Sequence, residues 1–110
     1  MAKNDYMVIV YRIMTYIYAC QKQGMDFDPD VISYEKLNIP ESYYNDIVKD
    51  IVDRGYIKGV ITVPILNNEV GIKWNNPKIT MEGSQFLDDN SAIEKVKDFL
   101  KDLKEIIPGL

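Results

Sequence analysis

The chain has 110 residues, of which 46% are hydrophobic, and this length and composition suit one domain with one hydrophobic core. Lysine and arginine total 13 against 17 acidic residues, a formal net charge of -4, so the chain repels polyphosphates unless its cations gather on one face. With no histidine and a single cysteine, the sequence excludes Ser-His-Asp and Cys-His catalytic sites, internal disulfides and the commonest metal ligand.

A nearly continuous apolar run covers residues 6–20, interrupted only by Arg12 and Thr15. It is shorter than the roughly 20 apolar residues that a membrane-spanning helix needs, and its arginine would be unfavourable inside a bilayer. The preceding Lys3 and Asp5 depart from the pattern of a secretory signal. We therefore expect a cytoplasmic protein that does not bind membranes.

The same run predicts a buried helix that is capped by Asn4 and ends at Gly24. Apolar residues cover almost its whole circumference, which is typical of a helix that is buried on more than one side. Its inner face would pack on the core, which leaves Tyr11, Met14 and Tyr18 for a second subunit. The alternative is that the C-terminal helix of the same chain covers them.

The next segment combines turn signals with a short helical pattern. Residues 25–29 are polar and contain proline, which indicates a loop, and Val31 and Ile32 are expected to form a short strand after it. A short helix is predicted over residues 33–39, with Ser33 as its cap.

A longer helix is predicted to follow Pro40 and to stop at Gly55. Its core face has apolar residues at helical spacing: Tyr44, Ile47, Val48, Ile51 and Val52. Its outward face has four carboxylates against one lysine: Glu41, Ser42, Asn45, Asp46, Lys49, Asp50 and Asp53. Two helices joined this closely predict a helix-turn-helix, but so acidic an outward face disfavours phosphate binding.

After Gly55 the apolar pattern changes from helical to alternating, which predicts a two-stranded hairpin. Asn67 and Asn68 tolerate the positive dihedral angles of a tight turn. The residues expected to face the core are Ile57, Ile61, Val63 and Ile65 on the first strand and Val70, Ile72 and Trp74 on the second. The candidate nucleic-acid contacts are Lys58, Lys73 and Lys78 on the exposed side of the hairpin and Lys49 on the preceding helix.

The C-terminal part of the chain predicts two more helices. Thr80 is expected to cap a short one, and Ser91 with Glu94 forms a capping box for the last, which covers residues 91–107. Its apolar stripe has coiled-coil spacing: Ile93, Val96, Leu100, Leu103 and Ile107. This stripe either covers the first helix of the same subunit or, together with that helix, forms the interface of a symmetric dimer.

Two segments point to a family. Residues 54–60 are RGYIKGV and residues 79–83 are ITMEG, followed by Phe86-Leu87 and Asn90-Ser91. In this order and spacing the chain resembles the YjcQ family, small winged-helix proteins of bacteria and of their phages and prophages. The resemblance implies a winged helix and a phage or prophage setting, and it carries over no catalytic or binding residues.

These patterns predict a single α+β domain over residues 1–110. The predicted fold is a winged helix-turn-helix with a three-helix core, a two-stranded wing and a C-terminal helix at residues 91–107 for packing or dimerisation. Asp26, Asp28 and Asp30 have the spacing of calcium ligands, but the glycine and glutamate that complete such a loop are missing, so no metal is expected.

The surplus of apolar helix faces and the acidic third helix favour a non-enzymatic regulatory module that binds protein as a homodimer. No set of residues offers an acid, a base and a nucleophile together, so we expect neither an enzyme nor a cofactor. The alternative function is a DNA-binding transcriptional regulator that uses the wing lysines, which the acidic third helix disfavours.

Overall fold

A computed structural model describes residues 4–107 of the chain. Within this range six α-helices and one antiparallel sheet of two strands follow one another in the order of a winged helix, so the predicted α+β class is confirmed. They are α1 (Tyr6–Gln23), α2 (Tyr34–Leu37), α3 (Glu41–Asp53), β1 (Ile57–Pro64), β2 (Val70–Ile79), α4 (Met81–Asp89), α5 (Ala92–Lys95) and α6 (Lys97–Lys104). The first three and last three residues of the predicted domain lie outside the described residues.

Helix α1 forms the centre of the core and contacts α3, α4, α5 and β2. It is buried on more than one side, as predicted, and its most deeply buried side chains include Ile9, Ile13 and Met14. It starts after Asp5, one residue later than predicted, and ends as expected at Gly24, whose φ is 65°. No helix within residues 4–107 combines the length and the apolar character that crossing a membrane requires.

The segment after α1 corrects the strand predicted at Val31 and Ile32, because Pro29–Ile32 is a turn of 3-10 helix. The Asp28 carboxylate accepts a hydrogen bond of 3.0 Å from the backbone amide of Asp30. This local hydrogen bond and the fixed φ of the proline in the first turn favour a helical turn. The two apolar residues Val31 and Ile32 had predicted an extended strand instead. Ile32 is nevertheless fully buried.

The two helices of the predicted helix-turn-helix are confirmed. Ser33 caps α2, since its hydroxyl accepts a hydrogen bond of 3.2 Å from the amide of Lys36. Asn38 ends this helix with a φ of 58°, and Pro40 precedes α3. Gly55 follows α3 with a φ of 77°, so the third helix stops where the sequence predicts.

The wing contains a bulge at Gly59, near its base. The strand register shifts between Lys58 and Val60. Gly59 has a φ of 77°, and a Cβ atom at this position would lie 2.6 Å from the carbonyl oxygen of Asn76. Both the left-handed backbone and the close approach of the opposite strand require glycine here.

The bulge reverses the side chains that were predicted to face the core from β1. Ile57 is buried as predicted, but Val60 takes the next place against the core. The later predicted core residues lie instead away from the core, each close to half-exposed: Ile61 at 46%, Val63 at 45% and Ile65 at 48%. Successive side chains of a strand alternate, so one irregular residue moves all later ones to the opposite face. On β2 the predicted face is kept, and Ile72 and Trp74 pack against the core.

The ends of the wing are fixed by a tight turn and by the first helix. Asn67 and Asn68 at the tip have φ values of 66° and 61°, which confirms the predicted turn. At the base, the backbone amide of Ile79 donates a hydrogen bond of 2.8 Å to the side-chain oxygen of Gln21. A side chain of helix α1 therefore accepts a hydrogen bond from a backbone amide of β2 that does not pair with β1.

The C-terminal region differs from the single helix predicted over residues 91–107. Thr80 caps α4 as predicted, accepting a hydrogen bond of 3.0 Å from the amide of Gly83. Ser91 has a φ of 50° and makes no capping bond, so the predicted capping box with Glu94 is wrong. Val96 leaves the helical conformation, with φ -124° and ψ 31°, and divides the helix into α5 and α6. Its side chain is buried, so the break directs it into the core.

Replacing Gly59 by alanine is expected to lower the free energy of unfolding by about 2 kcal/mol or more, because the new methyl group would need a left-handed backbone and would overlap the opposite strand. The matched control is Gly71→Ala on β2, where a Cβ atom would make an ordinary contact of 3.6 Å with the carbonyl oxygen of Val63. Its stability should stay within about 0.5 kcal/mol of the wild type. Chemical denaturation measures both, and equal stability of the two variants would contradict the role of the bulge.

Candidate functional site

The outer side of the wing carries three β-branched side chains in a row, which we call the wing stripe: Ile61, Val63 and Ile65. Opposite Val63 on β2 stands Gly71, so no neighbouring side chain covers the middle of the stripe. Leu66 extends the patch toward the tip and is 87% exposed. Single exposed apolar residues are common on proteins, whereas a contiguous row is typical of a contact surface.

The three lysines predicted as nucleic-acid contacts of the hairpin share this outer side. Lys58 pairs directly with Lys78, and Lys73 pairs with Ile61, the first residue of the wing stripe. Lys58 and Lys73 are exposed and Lys78 is half-buried. Like charges that face each other across two strands destabilise a hairpin, so this arrangement suits a surface that meets negative groups.

The polar side of α3 is less acidic than the sequence suggests. Asp50 accepts hydrogen bonds from Nε of Arg54 at 2.9 Å and from the hydroxyl of Tyr6 at 2.6 Å. Asp53 forms an ion pair with Lys49, the fourth predicted nucleic-acid contact, which lies on α3 and not on the wing. Exposed ion pairs of this kind add little stability, but they reduce the negative electrostatic potential at this face of the helix.

Most residues predicted for a dimer interface lie inside the core of the single chain: Tyr11, Met14, Val96, Leu103 and Ile107 are 0–3% exposed. The C-terminal helices cover α1 within one subunit, the arrangement that the sequence left open as the alternative. On α6, for example, the ring of Phe99 lies under the guanidinium of Arg12 at 5.6 Å. The other three candidates line a small groove of about 180 Å³, where Ile93 is 47% exposed and Tyr18 and Leu100 are half-buried.

A cleft of about 360 Å³ lies between the wing and the helix-turn-helix. We call it the wing cleft, and it is lined by Pro29, Asp30, Ser33, Tyr34, Glu41, Tyr44, Asn45, Ile65, Gly71, Ile72 and Trp74. Ile65, the last residue of the wing stripe, therefore borders the cleft as well. Asn45 was predicted to point outward, but its side-chain amide donates a hydrogen bond of 2.8 Å to the backbone carbonyl of Val70 and so connects α3 to β2. Sequence reasoning missed this cleft because its walls come from segments that are far apart in the chain.

The acidic loop and the cysteine have structural roles. Asp28 caps a turn, as described above, and within residues 4–107 no three cysteine or acidic side chains are grouped to hold a metal ion. Cys20 is buried in α1, and this burial raises the pKa of its thiol.

The comparisons with known proteins give one match. The model of a family described as YjcQ protein matches residues 11–106, which covers nearly the whole chain and confirms the resemblance predicted from residues 54–60 and 79–83. No curated protein and no solved structure matches the chain.

The hydrogen bonds of Asp50 make a titration experiment possible. Donation by Tyr6 and Arg54 lowers the pKa of the Asp50 carboxyl. Tyr6→Phe removes one donor, so this pKa should rise toward its ordinary value, whereas Tyr43→Phe, whose hydroxyl donates to the carbonyl of Asn4, should leave it unchanged. NMR titration of the Asp50 side chain measures the pKa in both variants, and an unchanged value in Tyr6→Phe would contradict the assignment.

The same pKa sets the direction of a pH effect on stability. A carboxyl whose pKa is lowered by folding stabilises the protein above its unfolded-state pKa, and this contribution is lost as the pH falls through the lowered value. The stability difference between wild type and Tyr6→Phe should therefore shrink on acidification.

Proposed function

The chain belongs to the YjcQ family, and we propose that it is a non-enzymatic protein-interaction module that pairs with a second copy of itself through the wing stripe. The observation that carries this proposal is the row of half-exposed residues Ile61, Val63 and Ile65, which the bulge holds on the outer side of the wing. The family resemblance implies a phage or prophage setting for this module. The single buried cysteine suits the cytoplasm.

The outer side of the wing complements itself under a two-fold axis, which a symmetric dimer requires. Two wings stacked in opposite directions would place one apolar row on the other. The tip of each wing, which carries Glu69, would then approach the wing lysines of its partner. The exposed apolar area is small beside the roughly 800 Å² per partner of a standard interface, so we expect a dimer that forms only at high concentration.

Ile61→Lys is expected to weaken self-association at least about tenfold, because the new ammonium group would lose hydration within the apolar row of the interface. Sedimentation equilibrium over a range of protein concentrations measures the dissociation constant of the wild type and of the variant.

Two equally exposed isoleucines outside the wing provide controls for this experiment. Ile106→Lys, at a residue that is 49% exposed, should leave self-association unchanged. Ile93→Lys, at a residue that is 47% exposed, tests the groove between α1 and the C-terminal helices. Loss of the dimer in Ile93→Lys alone would place the interface in that groove, and a wild type that stays monomeric throughout would refute the proposal.

A second candidate function is a DNA-binding transcriptional regulator. The specific observation in its favour is that Lys58, Lys73 and Lys78 share one face of the wing. The formal net charge of -4 and the wing stripe that adjoins these lysines weigh against it.

Charge reversal to glutamate at Lys58, Lys73 and Lys78 tests this second function. If the wing contacts phosphates, the triple variant should bind duplex DNA more weakly, and the dependence of binding on log salt should fall by about one per lost contact. Lys101→Glu on α6 is the control, at an exposed lysine outside the wing. Fluorescence anisotropy with a labelled duplex measures both quantities. Identical salt dependence in the wild type and the triple variant would exclude the wing as the DNA-binding surface.

A further inference from the structure

We propose that the wing cleft binds an organic cation, an ammonium or guanidinium group carried on an apolar stem. This site lies between the wing and the helix-turn-helix and goes beyond the self-association proposed above. Its volume of about 360 Å³ falls within the usual range of ligand-binding pockets.

The charges of the residues that line the cleft favour a cationic ligand over an anionic one. Among the described residues that line the cleft, Asp30 and Glu41 are acidic and none is basic. The amino-terminal end of α3 carries a partial positive charge, which Glu41 in its first turn offsets. Interaction with Glu41 raises the pKa of Tyr34, which places this carboxylate beside an aromatic ring of the cleft. An anion would meet two carboxylates here, whereas a cation would find two counter-charges.

Three aromatic rings form part of the apolar lining of the cleft, beside Pro29, Ile65 and Ile72. Tyr34, Tyr44 and Trp74 line it, and the ring centres of the two tyrosines are 6.3 Å apart. Cations bind the faces of such rings within about 6 Å, and tryptophan is the strongest of these partners. Rings combined with carboxylates therefore fit a cationic group better than a neutral apolar one.

A buried hydroxyl group provides independent evidence for a ligand. Tyr44 is only 4% exposed, and its hydroxyl has no hydrogen-bond partner among residues 4–107. Such groups are rare in native proteins because an unpaired buried hydroxyl costs stability. A tyrosine hydroxyl is neutral near pH 7, and burial raises the pKa of Tyr44 further. A cation that enters the cleft beside Tyr44 would give this hydroxyl the partner it lacks, because its oxygen accepts hydrogen bonds from ammonium and guanidinium N–H groups.

The position of Trp74 makes binding directly measurable, since it is the only tryptophan of the chain and lines the cleft. The probe is Nα-acetyl-arginine amide, and its control is the citrulline counterpart, which has nearly the same shape and no charge. We expect a saturable change in Trp74 fluorescence with the arginine compound. The affinity for the citrulline compound should be at least about tenfold lower, because one charge-assisted contact is lost. An equal response to both compounds would overturn the proposal.

Variants separate binding from folding. Tyr44→Phe should weaken binding of the arginine compound about fivefold to tenfold, as expected for one lost hydrogen bond, while its denaturation midpoint stays unchanged or rises because no unpaired hydroxyl is left. The double variant Asp30→Asn with Glu41→Gln should weaken binding further. Asp46→Asn, an acid of the same helix outside the cleft lining, is the matched control and should bind like the wild type. Unchanged affinity in both Tyr44→Phe and the double variant would overturn the site.

A last pair of measurements identifies the source of the cation. A short peptide with one central arginine is compared with the acetylated amide on the wild type and on Ile61→Lys. Tighter binding of the peptide supports the side chain of a partner polypeptide, and equal binding supports a free organic cation; both outcomes support the site. Because Ile61 does not line the cleft, binding that persists in Ile61→Lys distinguishes the cleft from the dimer proposed above.

Discussion

The close approach of Gly59 to the opposite strand decides which surfaces this molecule presents. A Cβ atom at this position would lie 2.6 Å and 2.8 Å from the carbonyl oxygens of Asn76 and Asn75. The left-handed backbone that glycine allows here changes which alternate side chains of β1 face the core. The new alternation then continues unchanged to the tip of the wing. With regular alternation Ile61 and Val63 would face the core, and the outer side of the wing would lack its apolar row. The proposed interface therefore depends on one backbone irregularity as much as on the apolar side chains themselves.

The anchoring of the wing then places its two faces in different environments. Asn45 holds the start of β2 against α3, and Gln21 holds its end against α1, through hydrogen bonds that are both 2.8 Å long. The inner side of the hairpin is thus held beside the helix-turn-helix, where Trp74 becomes a wall of the wing cleft. On the outer side Ile61 and Val63 stay close to half-exposed, and Ile65, the last residue of the wing stripe, borders the wing cleft. One hairpin in one fixed orientation produces both candidate surfaces.

The sequence predicts those parts of this structure that depend on short-range patterns. The apolar circumference of α1, the Ser33 cap and the Asn67-Asn68 turn each depend on neighbours within a few residues, and each was predicted correctly. Which side chains of β1 face the core depends instead on a contact between Gly59 and residues of another strand. No local sequence pattern predicts that contact. The candidate sites depend on tertiary structure in the same way. Lys73 and Lys78 are five residues apart, so strict alternation would place them on opposite faces of β2, and the irregular pairing with β1 brings them to one side. The cleft arises from the packing of segments that are distant in the chain.

The carboxylates of α3 illustrate how the structure changes a functional argument that rests on charge. In the sequence they form one uniform acidic face that would repel DNA. In the structure Asp53 is paired with Lys49 of the same helix and Asp50 with Arg54, the residue that follows it, and Glu41 lines the wing cleft with Tyr34. Only Asp46 remains as the exposed acid that the sequence envisaged. The repulsion of DNA that is expected from α3 is therefore weaker than the composition of the helix suggests.

The surface of the wing then becomes the main argument about the partner. The apolar row occupies the centre of its outer side, and the lysines lie toward its base. This arrangement suits a protein surface with an acidic rim better than a phosphate backbone.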